Sequence, residues 1–169
     1  MPLHPIVVHI PLVLAGLTPV VAGWLAWQTW RGRGSRRAWL VAFTLQAVIV
    51  GSALVAIDTG GDEADVVRKV VPRGAIGAHA HDAKQFAIGA GAVGVMLLAA
   101  VAFTEKKAAV AGGVAAAAAV VVVLLGVRAG HEGGKLVYQY DAAAAYVKVP
   151  TAVPTAEGGP PPGAPAPAP

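Results

Sequence analysis

Four apolar stretches constrain this chain more than any other feature. They run from about Pro5 to Trp27, Ala38 to Ile57, Gln85 to Phe103 and Ala108 to Val127. Each is close to the roughly 20 residues that cross a hydrocarbon core of about 30 Å. A lone span in lipid has no water for its backbone and must be helical. The expected fold is all-α, a four-helix transmembrane bundle over residues 1–140. A surface segment follows over 141–153, then a disordered Pro-rich tail over 154–169 with polyproline II character. Composition agrees: of 169 residues, 56% are hydrophobic and 13% charged, about half the charge of a soluble domain.

The connections are unequal. Segment 28–37, "QTWRGRGSRR", holds four arginines and no acid, and 104–107, "TEKK", holds two lysines and one glutamate. Segment 58–84 holds five acids against four bases. The excess of Lys and Arg in the short connections predicts that they face the cytoplasm. Both termini and the long connection then lie outside, as in a multi-pass protein of the bacterial inner membrane. Within the long connection, "DEADVVRKVV" predicts a short amphipathic helix along the membrane surface, with Asp62 as its N-cap. Trp24, Trp27, Trp30 and Trp39 suit an interfacial aromatic belt.

No cysteine is present. That excludes disulfides, thiolate metal sites and covalent c-type haem from this chain. Basic residues are dispersed, without a basic patch interleaved with aromatics, so a nucleic-acid partner is not expected. No nucleotide-binding glycine loop, HExxH or Ser/His/Asp grouping occurs.

The histidines carry the chemical interest. On this topology His4 and His9 open the first span, His79 and His81 precede the third, and His131 follows the fourth. All five fall at the outer face. Imidazole ligates metals and carries protons near neutral pH, and two imidazoles from different helices of a bundle can ligate haem iron on both axial sides. His79 and His81 are two apart and point to different sides of a helix, so one of them is expected to face the bundle. His131, before Gly133 and Gly134, also suits a helix C-cap. Asp58, Asp62, Glu63, Asp65, Asp82 and Glu132 lie nearby, and a carboxylate can orient a ligating imidazole through its second nitrogen.

Four motifs, "HPIVVHIP" (4–11), "TGGDEADVVRKV" (59–70), the His81–Asp82 pair and "GHEGGKLVY" (130–138), together resemble a bacterial family catalogued as domain of unknown function 2231. That family is described as four-helix integral membrane proteins. The resemblance covers roughly residues 3–140, in order. It implies His4, His9, His81 and His131 as site residues, with Glu63 as the acid of the turn after the second helix, and it leaves His79 out. The chain departs from the pattern by an additional glycine in TGGDEAD and by His–Asp where His–Glu is expected. Relatives joined to Rieske or cytochrome c modules suggest electron transfer.

The expectation is therefore a b-type haem with His9 and His81 as the axial pair, and with His4 and His131 hydrogen-bonding the propionates or replacing one of that pair. It would pass electrons between a quinol or other membrane partner and a periplasmic redox protein. The alternatives are copper, zinc or iron held by His9, His81, Glu63 and Asp82, or a cofactor-free membrane subunit using its histidines for packing or proton movement.

Overall fold

The structure, a computed structural model, describes residues 4–147. Helix α1 (His4–Val7) leads directly into α2 (His9–Trp30). Then come α3 (Arg36–Val67), α4 (Arg73–Ala102), α5 (Glu105–Tyr138) and a 3-10 turn at Ala142–Tyr146. Among the described residues there is no strand. The tail expected over 154–169 lies outside them.

Four helices are long and apolar enough to cross a membrane: His4–Trp30, with α1 and α2 counted together, then α3, α4 and α5. This is the architecture of a multi-pass membrane protein. Large apolar side chains such as Val20, Val95 and Val127 point outward, as they do where the solvent is lipid. The break at Val8 follows from Pro11, which has no N–H for the Val7 carbonyl and whose ring crowds it. At the other end of α2, Gly32 takes φ +75° and its N–H returns to the Thr29 carbonyl, closing the helix as only a glycine does without strain.

The helices differ from the expected spans in length. At 32 and 34 residues, α3 and α5 extend about 48 and 51 Å, against a core of about 30 Å. The surplus lies at the end away from the short connections. The expected long loop is thus mostly helix: α3 runs through Asp62 to Val67, and only Arg68–Pro72 separate it from α4. Asp62 is therefore mid-helix and caps nothing, and no separate surface helix forms. Likewise α5 continues through Gly133 and Gly134 to Tyr138, so His131 is no C-cap. Interior glycines cost a helix about 1 kcal/mol each, too little to stop one whose other face is packed.

The helices neighbour one another in the cyclic order α2, α3, α4, α5. The bundle is built from two equivalent hairpins. In α2 the buried positions include Pro11, Ala15, Thr18, Ala22 and Leu25; in α4 they include Phe86, Ala90, Val93, Leu97 and Ala100, each 75 residues later. In α3 they are Trp39, Ala42, Gln46, Ile49, Ala53 and Ala56. In α5 the same face buries Gly112, Ala115, Ala119, Val122, Gly126 and Ala129, each 73 residues later. Exchanging the hairpins maps the α2–α5 contact onto α4–α3, so an approximate two-fold axis runs along the bundle. Where the halves differ they complement each other. The Trp39 indole, its Nε1–H donated to Thr29 Oγ1 at 3.2 Å, occupies the space left by Gly112, where any Cβ would collide with it.

The two ends of the bundle are chemically distinct. The short connections carry the cations and tryptophans, with the Arg31 guanidinium 4.8 Å over Trp27 and Lys106 Nζ 5.5 Å from the Trp30 ring. The other end gathers the start of α1, the end of α3, the first turns of α4, the last turns of α5 and the 3-10 turn.

Candidate cofactor site

Each hairpin carries a histidine in its first helix, at His4 and at His79, and the motif Ala-x-x-x-Gly-Gly late in its second helix, at 56–61 and 129–134. The structure joins these pieces identically in each half. His4 Nδ1 lies 2.8 Å from the Ala56 carbonyl, and His79 Nδ1 lies 3.0 Å from the Ala129 carbonyl. A carbonyl only accepts, so Nδ1 carries the proton in both rings. In the neutral imidazole the Nε2 lone pair is then free.

Each ring also rests on a glycine one turn further along. A Cβ at Gly60 would lie 2.9 Å from His4 Cε1, and one at Gly133 would lie 3.1 Å from His79 Cε1. Gly61 and Gly134, by contrast, have open space where a Cβ would go. The glycines that bear on an imidazole are thus the first of each pair. The two rings meet across the axis with centroids 5.8 Å apart and planes at 82°. Both residues are half-buried.

The surrounding acids hold the scaffold rather than the rings. Glu63 accepts the His4 backbone N–H on Oε1 at 3.0 Å and the Tyr146 hydroxyl on Oε2 at 3.1 Å. It thereby ties α1, α3 and the 3-10 turn together. Burial first, and the Glu63 carboxylate second, push the Tyr146 phenol above its ordinary value. Asp82 is buried and accepts from Arg128 Nε at 3.2 Å. Glu132 pairs with Lys135 at 2.6 Å. Asp58, Asp62 and Asp65 are exposed. The role expected of a carboxylate, fixing the tautomer of a ligating ring, falls instead to the Ala56 and Ala129 carbonyls.

Of the residues expected at the site, the structure brings together His4 and Glu63. His9, His81 and His131 are exposed on the outer faces of α2, α4 and α5. His131 continues the outward stripe of Leu124 and Val127, and His81 continues that of Ile88 and Val95. His79, not His81, turns inward, because Asp82 and Phe86 set the buried face of α4 and His79 lies one turn before Asp82 on it. The grouping of His9, His81, Glu63 and Asp82 does not form. Among the described residues no three His, Cys, Asp or Glu side chains converge as a metal site.

The site thus offers two imidazole nitrogens, from α1 and α4, at one end of a membrane bundle. No family model, curated protein or solved structure matches the chain, and the chemistry of these residues carries the functional assignment.

Proposed function

We propose that this protein is a membrane electron-transfer subunit that holds a b-type haem between His4 and His79 at the outer end of the bundle. One observation carries the reading. Two rings are tied by Nδ1–H to backbone carbonyls, so that both Nε2 lone pairs are available, and among the described residues no third protein ligand joins them. Zinc, and most sites for bare copper or iron, require three or four protein ligands. A haem iron brings four nitrogens of its own and needs only the axial pair. The two rings lie with centroids 5.8 Å apart, and as neutral imidazoles they would supply the two nitrogens that such an iron needs.

When bound, such a haem supplies one-electron transfer. The chain's own residues do the rest. The Ala56 and Ala129 carbonyls fix each ring's tautomer and raise its basicity as a ligand. Gly60 and Gly133 let the rings approach the helix backbones. Glu63 and Tyr146 fix where α1 starts, and with it His4. The cationic short connections belong on the cytoplasmic side of the inner membrane. The site then faces outward, suited to pass electrons from a quinol or other membrane donor to a periplasmic redox protein.

The test is a reduced-minus-oxidised absorption spectrum of detergent-purified protein from cells supplied with haem precursor. A b-type spectrum is expected in the wild type, lost in His4→Ala and His79→Ala and kept in His9→Ala, His81→Ala and His131→Ala. A colourless wild type would refute the proposal. Loss in His9→Ala or His81→Ala, with retention in His79→Ala, would move the site outside the bundle.

A further inference from the structure

The two ends of the bundle differ in charge balance. Segment 58–84, at the imidazole end, holds five acids against four bases. The connections at the opposite end, 28–37 and 104–107, hold six cations against one acid, Glu105. All six, Arg31, Arg33, Arg36, Arg37, Lys106 and Lys107, are exposed. None has an ion-pair partner among the described residues. Unpaired cations at the boundary of a membrane attract anionic lipid.

Two of the six are held on aromatic rings. Arg31 lies over Trp27, and Lys106, reaching across from α5, lies over Trp30. Trp24, Trp27 and Trp30 follow at intervals of three along α2 and are 56%, 51% and 57% exposed, so they share one outward face. A guanidinium over a ring is attracted to the ring face and keeps N–H donors that the ring does not use, which can take a phosphate on two parallel bonds. The fold does not demand these rings. By the offset of 75 between the hairpins, Trp24 and Trp27 correspond to Ala99 and Ala102, whereas Arg31 corresponds to Lys106. The equivalent cations of the two halves therefore converge on an aromatic face that only the first half possesses.

We infer that Trp27, Trp30, Arg31 and Lys106 bind the headgroup of one anionic phospholipid, in the leaflet at the end of the short connections. The two cations take the phosphate oxygens. Trp24 and Val20, exposed on the same face of α2, lie against the acyl chains. The site is at the far end from the imidazole pair and does not depend on what that pair holds.

The experiment places the full-length protein in phosphatidylcholine vesicles with a minority of lipid carrying brominated acyl chains, which quench indole fluorescence on contact. The brominated lipid is either phosphatidylglycerol or phosphatidylcholine. In the wild type, phosphatidylglycerol is expected to quench at a mole fraction about five-fold lower than phosphatidylcholine, as cations at the headgroup level favour an anionic lipid. Arg31→Gln/Lys106→Gln should be quenched alike by both lipids. Arg33→Gln/Arg37→Gln removes the same charge from the same end, leaves the cations on the rings and should keep the preference. All four side chains are exposed, so helix content by circular dichroism should be unchanged in both variants. Equal quenching by the two lipids in the wild type would overturn the site. So would a preference that survives in Arg31→Gln/Lys106→Gln, or one lost equally in Arg33→Gln/Arg37→Gln, because either result would reduce it to the diffuse field of the connections.

Discussion

The first hairpin, α1 to α3, and the second, α4 and α5, share every position that builds the site and differ in how they are fastened. In both, an imidazole donates to an alanine carbonyl and lies on a glycine one turn on. Around His79 the second hairpin adds a charged clasp, Asp82 to Arg128. The corresponding positions of the first hairpin, by the same offsets of 75 and 73, are Val7 and Val55. The first hairpin instead holds His4 through its backbone N–H on Glu63, and Glu63 through Tyr146. Its position for Glu63 is Leu136 in the second hairpin. A repeated scaffold therefore sets the symmetric imidazole pair, while unlike polar contacts hold its two members. A terminal histidine needs a contact to anchor its backbone, and a mid-helix histidine does not.

If the halves are equivalent as ligands, losing either histidine should be equally damaging. His4→Ala and His79→Ala are each expected to lower haem retention by more than ten-fold, measured as pigment per protein after detergent purification. Retention in one of them alone would make the site a single-ligand one and break the equivalence. The glycine cradles sharpen this. Gly60→Ala and Gly133→Ala force an imidazole to move, at about 1–3 kcal/mol as overpacking generally costs. Gly60→Ala should be the worse, since its contact is the closer. Gly61→Ala and Gly134→Ala meet open space and should stabilise by about 0.5–1 kcal/mol through helix propensity. Thermal unfolding midpoints of the four variants check the order, and a destabilising Gly61→Ala would mean that the glycine pair serves something other than the ring.

This pattern of glycines also shows what was legible in the residues and what was not. The bundle followed from apolar runs alone, because lipid admits few alternatives. The helix ends did not. Gly133 and Gly134 read as a helix end beside His131, whereas the role of Gly60 and Gly133 depends on a ring from another helix that no local window contains. That His4 and Glu63 would come together was legible from their place at the outer boundary. The choice between His79 and His81 was not, since alternation says only that one faces in. The buried Asp82 decides it, and a carboxylate near the end of an expected loop gives no hint of burial. The signal that was present is the repeat itself. Ala-x-x-x-Gly-Gly recurs at 56–61 and 129–134, and aligning the two copies pairs Ala56 with Ala129 and, through the first helices, His4 with His79.

The charged clasp can be removed by copying the other half. Arg128→Ala leaves Asp82 buried without its partner, at a cost of about 1–3 kcal/mol, tempered because the Arg128 side chain is 69% accessible. Asp82→Val with Arg128→Val installs the residues of the first hairpin and should recover most of that loss, as apolar replacement of a buried pair commonly does. A double variant no more stable than Arg128→Ala, by the same midpoints, would show that the second hairpin needs the charge and that the halves are not interchangeable here.

The smallest effect is expected at the clasp peculiar to the first hairpin. Tyr146→Phe removes one partly exposed hydrogen bond to Glu63 and should cost under about 1 kcal/mol. Its dependence on pH is the informative part. The phenol is held above its ordinary value of 10.0, because burial and the neighbouring carboxylate both disfavour the phenolate. A group raised on folding contributes in full below its unfolded value and loses that contribution as the pH rises through the folded one. The wild type should therefore exceed Tyr146→Phe in stability from neutral pH to about pH 10 and converge with it at more alkaline pH. The haem spectrum should be unchanged throughout, because Glu63 continues to hold the His4 backbone. A difference that persists above the phenol's titration would assign the contribution of Tyr146 to packing of the 3-10 turn. A spectral change at the same pH would couple the phenol to the imidazole pair itself rather than only to the Glu63 carboxylate that holds the His4 backbone.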